Sequence, residues 1–508
     1  MKRYILAHDL GTSGNKATLF TADGELVDSK TYPYETKYFR GNWAEQNPSD
    51  WWRAVCDSTG ALISGIDTGD IACVAFSGQM MGCLCVDKEG NPLRNSIIYS
   101  DQRASRETRQ LLNRIGEKEF YSITGHRASA SYSIEKLMWL KNNEPEIYNK
   151  TYKMLNAKDY INYKLTGNMA TDYSDASGTN AFDLNTYKWS DKIVEISGID
   201  GEKLHDTRES TFVLGTVTTE ASKDTGLLEG TPVVVGGGDG VCAGVGVGCI
   251  KPGIAYNYVG SSSWIALTVE KPIYDEQMRT MNWAHAVPGY LQPSGTMQTA
   301  GSSYNWLKNE ICRIEAEEGE KLGISPYEII NQKIEKAPPG ANGIIFLPYL
   351  LGERTPRWNP NAKGAFIGFN LSHKREDLLR AVLEGITYNL EIILSIFRNH
   401  TAVEQMIVVG GGARGAVWRQ MMADIYNLKI MKPNYLEEAT SMGAAIIGGV
   451  GAGLFENFDA VDKFIKIESI QEPDKANQRQ YQKMMPIFDS CYTALVDVYE
   501  NLAKLQVQ

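Results

Sequence analysis

The chain has 508 residues, of which 43% are hydrophobic and 22% are charged. At about 150 residues per domain, this length predicts about two to four folding units. The hydrophobic fraction is that of an ordinary globular protein, which excludes global disorder. The 61 acidic side chains outnumber the 51 Lys and Arg side chains, and the resulting net charge of -10 argues against nucleic-acid or anionic-membrane partners.

The sequence also argues against secretion, membrane insertion and zinc binding. The first apolar stretch is too short for a signal peptide because Asp9 ends it. No apolar run reaches the ~18 residues of a membrane span. The eight cysteines form no CxxC pair, and the six histidines lack the spacing of metal ligands. We therefore expect reduced thiols in a cytoplasmic protein without a structural zinc.

The N-terminal segment predicts a β-hairpin. Residues 4–9 and 16–20 are typical of strands, and the tight loop 11–14 joins them. An Asp-Gly turn then leads to a third strand around Leu26. Beyond residue 250, residues 255–269 repeat this order of strand, Gly-[Thr/Ser]-Ser loop and strand. The echo predicts two related halves that join near residue 250.

Strands alternate with helices along the rest of the chain. Asn47 and Pro48 suit an N-cap and a first helical position, so they predict a helix start. Apolar residues at i, i+3 and i+4 spacing predict a long helix over 376–398, and the small residues of 441–449 predict a tightly packed one. Further strands are predicted at residues 72–76, 83–86, 232–238 and 406–409, and further helices at 133–142, 157–166 and 418–426. This alternation predicts an α/β fold.

In the first half, residues 77–82 have two interpretations, and residues 97–103 have an alternating spacing. In residues 77–82, Gln79 and backbone amides suit contacts with sugar hydroxyls, and the alternative is a methionine-padded hairpin of the core. In residues 97–103, every second residue is expected on one face of an extended segment. These residues are Ile97, Tyr99, Asp101 and Arg103.

Three glycine-rich turns follow apolar strands, at residues 11–14, 260–263 and 410–412. Glycine lets backbone amides approach a phosphate closely, and the hydroxyls of Thr12, Ser13, Ser261 and Ser262 add donors. A helix N-terminus after Gly412 would favour an anion through its dipole. The alternative for each is a tight turn that needs glycine for its geometry alone.

The third turn also fits a dinucleotide fingerprint. Gly410, Gly412 and Gly415 have the GxGxxG spacing, and Glu437 or Glu438 stands where an acid would bind a ribose. The match lies deep in the second half and does not open a domain. A GxxxxGK[ST] sequence is absent, which excludes a P-loop kinase.

Two carboxylates stand at predicted strand ends beside glycines, Asp9 before Gly11 and Asp239 before Gly240. Strand ends are where α/β proteins place their ligands. Phosphoryl transfer needs a group near the metal-bound phosphates and a base that orients the attacking hydroxyl, and two separate carboxylates suit these roles. The alternative for each is an Asx turn or an Asp-Gly turn. Glycoside hydrolysis also uses two carboxylates, but it has no use for phosphate-binding turns.

Longer motifs carry a family resemblance. Residues 131–143 fit the first signature of the FGGY carbohydrate kinases at every constrained position. Residues 364–369 and 377–384 fit the second signature, except that Phe369 replaces an aliphatic residue. Residues 352–356 and 410–413 are also typical. On these motifs the chain resembles the FGGY carbohydrate kinase family nearly from end to end.

The resemblance implies two actin-like, ribonuclease-H-like domains, residues 1–249 and 250–508, with a catalytic cleft where ATP, Mg²⁺ and a sugar meet. It implies that Asp239 is the catalytic base and that Asp9 is the acid near the metal-bound phosphates. The implied nucleotide positions are Thr12, Ser13, Lys16, Ser261, Gly301, Asn305, Gly411, Gly412 and Ala413. The sugar positions are Met80, Met81, Asp101 and Asp239, to which we add Gln79.

Within the family the chain most resembles xylulokinases, so we expect phosphorylation of D-xylulose to D-xylulose 5-phosphate. It departs from their pattern at Met81 instead of His, at Gly240 instead of Asn and at Tyr99-Ser100 instead of Trp-Asn. These departures leave open a ribulose, gluconate or erythritol type of substrate. A non-catalytic sugar-binding regulator and a nicotinamide-dependent oxidoreductase are the alternatives from other classes. A homodimer is left open.

Overall fold

The computed structural model describes residues 3–505, whose fold is built on two mixed β-sheets. The first sheet contains β1 (Tyr4–Leu10), β2 (Gly14–Thr21), β3 (Leu26–Pro33), β4 (Ile71–Gly78), β5 (Val213–Thr216) and β6 (Pro232–Gly238). The strand order across it is β5-β6-β4-β1-β2-β3. β4 pairs in parallel with both β1 and β6, so these three strands end at the same edge of the sheet.

The second sheet is formed by residues after 250. It contains β7 (Ile254–Val259), β8 (Ser263–Leu267), β9 (Met281–Ala284), β10 (Leu291–Met297), β11 (Gln405–Val409), β12 (Lys429–Pro433) and β13 (Ile467–Gln471). The strand order is β9-β10-β8-β7-β11-β12-β13.

The two sheets share one topology. Each has an antiparallel hairpin at its centre, β1 with β2 and β7 with β8. Two parallel strands follow on one side, β4 and β6 in the first sheet and β11 and β12 in the second. An antiparallel edge strand, β5 or β13, completes that side. The predicted echo between the halves and the predicted α/β fold are therefore confirmed.

Six predicted helices form close to their expected positions: α1 (Pro48–Ile63), α2 (Ser133–Asn143), α3 (Ala157–Thr166), α5 (Arg375–Arg398), α6 (Ala416–Tyr426) and α7 (Ala439–Gly451). Two helices that the sequence did not predict are α4 (Asp239–Gly246) and α8 (Lys475–Leu505). α1 begins as predicted, because the Asn47 side chain accepts a hydrogen bond from the Ser49 amide and Pro48 occupies the first position.

Further helices and strands connect the elements that carry labels. The helices are Ser105–Ile115, Glu117–Thr124, Pro145–Lys150, Tyr173–Ser177, Asp191–Ser197, Thr219–Thr225, Gly301–Trp306, Arg313–Leu322, Pro326–Ile334 and Val461–Phe464. The strands are Lys37–Phe39, Trp43–Gln46, Leu84–Val86, Ser96–Ile97, Lys153–Leu155, Ala170–Asp172, Phe182–Asp183, Lys188–Trp189, Asp206–Arg208, Ile345–Leu347 and Ala365–Ile367.

Helix α7 belongs to the second half but packs on the first sheet. A Cβ atom at Gly443 would overlap the Cys242 carbonyl oxygen of α4, so the two helix backbones are in contact. A Cβ at Gly448 would lie 2.7 Å from the Ala75 side chain of β4. The tight packing predicted for residues 441–449 is thus confirmed. Because α7 joins the two halves in one core, the division at 249/250, in the turn between α4 and β7, stays a proposal.

One predicted element is wrong. Residues 97–103 do not form an extended segment with alternating faces, because the strand ends at Ile97. The chain turns instead, and the Asp101 amide donates to the Ile98 carbonyl oxygen at 3.1 Å. The turn is stabilised because the Asp101 carboxylate accepts hydrogen bonds from the Arg103 amide and side chain. Within residues 3–505, no helix has the length and apolar character to cross a membrane.

Candidate active site

The predicted carboxylates lie at one edge of the first sheet. In the register of the parallel strands, Asp9 of β1 pairs with Ser77 of β4, and Ser77 pairs with Gly237 of β6. Neighbouring strands are about 4.8 Å apart. Asp9 and the residues that lead to Asp239 therefore flank Ser77 on either side, which brings the two carboxylates to the same place.

Asp9 is fixed by two hydroxyl groups. The Ser77 hydroxyl donates to Oδ1 at 2.9 Å, and the Thr440 hydroxyl donates to Oδ2 at 2.8 Å. Thr440 is in the first turn of α7, so this second bond joins the two halves of the protein. Burial raises the pKa of Asp9, and the two hydroxyl donors and the Lys16 charge oppose that rise. Asp9 thus has the partners that stabilise its ionised form.

Asp239 is the first residue of α4 and has a different environment. Its Oδ1 accepts a hydrogen bond from the Gly240 amide at 2.7 Å. Among residues 3–505, no side chain donates to its carboxylate. Burial, with a smaller effect of the Asp9 charge, raises the pKa of Asp239 to about 7. A carboxylate with this pKa is suited to accept a proton near neutral pH.

The first glycine-rich turn, residues 11–14, joins β1 to β2. Two glutamine side chains donate hydrogen bonds to its carbonyl oxygens: Gln46 to the Thr12 oxygen at 2.6 Å, and Gln79 to the Gly11 oxygen at 3.3 Å. Gly14 is required because a Cβ there would lie 2.7 Å from the Tyr32 carbonyl oxygen. Ser13 is exposed at the tip of the turn. The turn is therefore rigid while its outer surface stays accessible.

Lys16, on β2 beside this turn, connects the halves. Its Nζ donates to Glu438 Oε1 at 3.1 Å and to the Glu437 carbonyl oxygen at 3.3 Å. The GxGxxG spacing predicted that one of these two glutamates binds a ribose. In the structure Glu438 instead pairs with Lys16, which is the cation that the family resemblance places near phosphates.

The second turn, residues 260–263, contacts the start of the helix Gly301–Trp306. The Ala300 and Ser302 amides both donate to the Ser261 carbonyl oxygen at 3.0 Å, and the Gly301 amide donates to the Gly260 oxygen at 2.8 Å. A Cβ at Gly301 would overlap that Gly260 oxygen. Two of the predicted nucleotide positions, Ser261 and Gly301, are thus brought together by backbone contacts that only glycine permits.

The third turn follows β11 and packs against the end of β7. Gly410 has φ +85°, and a Cβ there would lie 2.7 Å from the Val259 carbonyl oxygen. Gly412 also contacts Val259, whereas a Cβ at Gly411 would meet nothing within 4 Å. Ala413 is buried. The helix predicted at 418–426 is present as α6 and begins at Ala416, but a 3-10 turn separates its N-terminus from Gly412.

Asn305 lies on the helix that starts at Gly301, four residues from it. Its side-chain oxygen accepts a hydrogen bond from the Tyr327 hydroxyl at 3.2 Å. Tyr304, the preceding residue, contacts the Trp418 ring of α6 edge-on. The second and third turns and this helix therefore surround the carboxyl end of β7, which is the equivalent of β1 in the second sheet.

The predicted sugar residues Gln79, Met80 and Met81 follow β4. Gln79 is buried and donates to Gln46 Oε1 at 2.7 Å, while its own Oε1 has no partner among residues 3–505. Met80 packs against Gly238, the residue before Asp239, where a Cβ would overlap its sulfur. The Met80 methyl group also lies near Gly178, as does the Trp283 ring of β9. Met80 thus packs against the backbone that leads to Asp239 and belongs to the same apolar cluster as Trp283 of the second half.

Met81 has a strained backbone conformation, and a buried lysine stabilises it through a hydrogen bond. Its φ is +64°, in the left-handed region that non-glycine residues rarely occupy. The Lys136 ammonium donates to the Met81 carbonyl oxygen at 2.7 Å and to the Ser131 carbonyl oxygen at 2.6 Å. Burial lowers the pKa of Lys136 to about 7. The lysine of the first family signature therefore supports the segment predicted to bind sugar.

Asp101 is placed differently from the other predicted sugar residues. Its carboxylate is fully buried, and Oδ2 accepts hydrogen bonds from the Ala44 amide at 2.6 Å and from Arg103 Nη2 at 2.7 Å. The Arg103 guanidinium stacks 3.8 Å from the Trp43 ring centroid. In residues 3–505, the hydrogen bonds of Asp101 go to these groups and do not connect it with Asp9 or Asp239.

Several residues of the site were not identified from the sequence. Ser77 and Thr440 hold Asp9, Glu438 holds Lys16, and Trp283 borders Met80. Ser77 precedes the predicted Gln79 by two residues, so strand pairing with β1 was the signal that could have found it. The other three residues belong to the second half, and no local pattern in the sequence predicts their contacts.

The donor set suits a nucleotide with a magnesium ion. Mg²⁺ is usually held by one or two carboxylates together with phosphate oxygens and water, and Asp9 at the sheet edge supplies such a carboxylate. Within the described residues, no cluster of three or more His, Cys, Asp or Glu side chains forms an all-protein metal site. The turn at 11–14 directly follows the strand of Asp9, and the turns at 260–263 and 410–412 lie at the end of β7 in the second sheet. These residues fit ATP with Mg²⁺.

Comparison with known sequences gives full-length matches. Residues 4–246 match the profile described as "FGGY family of carbohydrate kinases, N-terminal domain", and residues 255–452 match that of the C-terminal domain. The chain is 32% identical over 508 residues to a gluconokinase of Bacillus licheniformis, covering 100% of this chain and 99% of the relative. It is 31% identical over 500 residues to a xylulose kinase of Bacillus subtilis, covering 98% of each chain.

Comparison with solved structures gives the same fold. A ligand-bound xylulose kinase from Lactobacillus acidophilus superimposes with a TM-score of 0.91 at 28% identity, covering 98% of this chain and 99% of that one. The arrangement of two sheets with a shared topology, and of loops at their facing edges, is therefore that of a known kinase structure.

Proposed function

The chain belongs to the FGGY family of carbohydrate kinases, and on this premise we propose that it transfers the γ-phosphoryl group of ATP to the terminal hydroxyl of a small open-chain sugar. We propose D-xylulose as the sugar and D-xylulose 5-phosphate as the product. The observation that carries the proposal is the pair of unlike carboxylates, Asp9 and Asp239, at one sheet edge.

In the proposed reaction Asp239 accepts the proton of the terminal hydroxyl as that oxygen attacks the γ-phosphorus. The raised pKa of about 7 supports this role, because a base is most effective when its pKa is near the working pH. Asp9 is held by its two hydroxyl donors, which oppose the rise of its pKa caused by burial, and we assign it to the side of the metal-bound phosphates. Bound Mg²⁺ would neutralise part of the phosphate charge.

The remaining nucleotide contacts are also proposals. We assign the first phosphate turn to Thr12, Ser13 and Lys16, supported by the fixed carbonyl oxygens of that turn. We assign the second phosphate turn to Ser261. We assign further nucleotide contacts to five positions near the end of β7, namely Gly301, Asn305, Gly411, Gly412 and Ala413.

The identity of the sugar has a second candidate. Gluconate is supported by the relatives named gluconokinase, which match as well as those named xylulose kinase. Met80, Met81 and Trp283 belong to one apolar cluster, and Met81 stands where xylulokinases usually have an imidazole. Gln79, with its free Oε1, is the polar contact that we assign to a sugar hydroxyl, and we retain Asp101 as a further assigned sugar contact.

The cell compartment and the assembly are part of the proposal. All eight cysteines are free, which suits the reducing cytoplasm. A homodimer stays a prediction, and light scattering during size-exclusion chromatography measures it. A non-catalytic sugar-binding regulator is disfavoured because both carboxylates are in place at the sheet edge.

A coupled assay of ADP release tests the function. The purified protein is supplied with MgATP and, separately, with D-xylulose, D-ribulose, D-gluconate and erythritol. We expect ADP release that depends on sugar and is greatest with D-xylulose; preference for D-gluconate would establish the second candidate. Absence of ADP release with every sugar would contradict a kinase and favour the regulator, and reduction of NAD with substrate would favour the oxidoreductase.

The Asp239→Asn variant tests the base. It keeps the size of the side chain and its bond to the Gly240 amide, but it cannot accept the proton. We expect kcat to fall by about 10²–10⁴-fold, while the affinity for sugar, measured by calorimetry, changes little. Turnover close to that of the unmodified protein would remove the role assigned to Asp239.

A further inference from the structure

A fully buried ionic cluster lies behind the strand that carries Asp239. The Lys158 ammonium of α3 contacts three carboxylates: Asp159 Oδ1 at 2.6 Å, Asp172 Oδ1 at 2.9 Å and Asp175 Oδ2 at 3.1 Å. All four side chains have no exposed surface. Burying these charges is costly unless their geometry is fixed by multiple partners. The proposed phosphoryl transfer does not use any of them directly.

One carboxylate of the cluster, Asp172, connects it to the active-site strand. Its Oδ2 accepts hydrogen bonds from the Ser174 hydroxyl at 2.5 Å and from the Ser210 hydroxyl at 2.8 Å. Ser174 then uses its oxygen as an acceptor for the Gly238 amide at 2.9 Å. Gly238 is the residue before Asp239. A continuous chain of polar contacts therefore runs from Lys158 through Asp172 and Ser174 to the backbone that bears the proposed base.

The pairing of this strand is irregular just before Asp239. Gly236 has φ +78°, and the register between β6 and β4 shifts between Val234 and Gly237. On the other side, β5 pairs only as far as Val234. The Gly236 amide donates instead to the Ser210 carbonyl oxygen at 3.0 Å. The last two residues of β6 pair again with β4, and the Ser174 hydroxyl adds a side-chain contact at the Gly238 amide.

We propose that Ser174 is a positioning residue for the base Asp239, a role that rests on the proposed function. Its hydroxyl oxygen accepts a hydrogen bond from the Gly238 amide. The same hydroxyl donates to the buried Asp172 carboxylate, which orients it. Because Gly238 and Asp239 are adjacent, fixing this amide fixes the direction in which α4 leaves the strand and the place of the Asp239 carboxylate. Asp172 and Lys158 make the acceptor rigid, since a serine hydroxyl that donates to a paired carboxylate has one orientation.

The chain offers a matched control in Ser210. Its hydroxyl donates to the same oxygen of Asp172, it is equally buried, and its connection to β6 uses its backbone oxygen, which an alanine keeps. Ser174→Ala and Ser210→Ala therefore remove one hydrogen bond each from the same carboxylate. Only Ser174→Ala also removes the partner of the Gly238 amide. Both variants should lower the melting temperature by a similar amount.

Steady-state kinetics with the sugar established by the panel then separates the two roles. We expect Ser174→Ala to lower kcat about 10- to 100-fold with KM for sugar and MgATP changed by no more than about threefold, because misplacing a catalytic group costs turnover more than binding. Ser210→Ala should keep kcat within about threefold. Ser174→Thr, which retains a hydroxyl, should restore most of the activity. Equal kcat values for Ser174→Ala and Ser210→Ala would overturn the proposal.

Two further variants complete the test. In the Asp239→Asn background, Ser174→Ala should have no further effect on kcat, because the group that it positions is gone; a full additional loss would also overturn the proposal. If Ser174→Ala does not fold, Ser174→Cys, with its weaker acceptor, must show the loss of kcat relative to Ser210→Ala. Undiminished turnover in Asp239→Asn alone would remove the role assigned to Asp239, and absence of ADP release with every sugar would refute the proposed function; both results are distinct from a failure of the role of Ser174.

Discussion

The ends of β1 and β6 carry the same side chain in different surroundings. Asp9, at the end of β1, accepts hydrogen bonds from Ser77 and Thr440. Asp239, just after β6, accepts one from the Gly240 amide, and in residues 3–505 no side chain donates to it. Donors stabilise the charged form of a carboxylate, whereas burial beside a like charge favours the neutral form. One sheet edge thereby supplies a carboxylate held by two hydroxyl donors and a carboxylate whose pKa is raised to about 7.

The difference shows that position in the fold does not by itself assign chemistry. Parallel strands bring both carboxylates to the same edge, but partners from other elements decide what each can do. For Asp9 one partner comes from the neighbouring strand and the other from the second half of the chain. For Asp239 the contacts involve backbone amides: the Gly240 amide donates to its carboxylate, and the Ser174 hydroxyl accepts from the Gly238 amide that precedes it. Each of the following predictions alters one side of this comparison.

Removing the charge of Asp9 should have the largest effect. Asp9→Asn keeps the shape of the side chain but not its negative charge toward the metal-bound phosphates. We expect kcat to fall by about 10²–10⁴-fold, with a higher Mg²⁺ concentration needed for half-maximal activity. Kinetics at several Mg²⁺ concentrations measure both effects. Asp28→Asn, on the exposed edge strand β3 of the same sheet, is the control and should leave kcat unchanged; a comparable loss there would mean that general charge, not Asp9, matters.

Much of this site could be predicted from local patterns in the sequence. A strand that ends in Asp followed by glycine has the same appearance in any fold, so Asp9, Asp239 and the three turns were identified by residue type and spacing. The echo between the halves was visible for the same reason, since each hairpin is encoded within about 20 residues. These features depend on contacts between residues that are close in the chain.

The rest depends on contacts between distant residues. Thr440 reaches Asp9 from 431 positions away, and no motif marks it. The turn that replaces the predicted extended segment at 97–103 is held by Asp101 accepting from the amide of Ala44, which belongs to another strand. The left-handed backbone of Met81 is sustained by Lys136, which the sequence placed only in a signature. Side-chain partners of this kind are set by packing, which spacing along the chain does not reveal.

The pH dependence should show a smaller but diagnostic effect. Burial and the Asp9 charge raise the pKa of Asp239 to about 7, so the base becomes protonated and inactive as the pH falls below that value. We expect kcat/KM for sugar to fall about tenfold per pH unit well below pH 7, or about 50-fold from pH 7 to pH 5. In Asp9→Asn the acidic limb of the residual activity should move to lower pH, because the like charge is gone.

A pH–rate profile of both proteins from pH 4.5 to pH 9 makes this comparison, with protein stability checked at each pH. An acidic limb at the same pH in both proteins would mean that Asp9 and Asp239 are not coupled. An activity that is constant from pH 5 to pH 8 in the unmodified protein would instead argue against Asp239 as the group that accepts the proton.

The smallest expected effect concerns the hydrogen bond that Thr440, in the second half of the chain, donates to Asp9. Thr440→Val keeps the size of the side chain but removes the hydrogen bond to Asp9 Oδ2, and a bond to a charged group is worth about 1.5–3 kcal/mol. We expect kcat to fall roughly tenfold. Ser441→Ala is the matched control, since Ser441 is the next residue on α7 and its buried hydroxyl has no partner within residues 3–505. If both variants lost activity equally, the effect would come from the packing of α7; a loss confined to Thr440→Val would show that the second half fixes Asp9 directly.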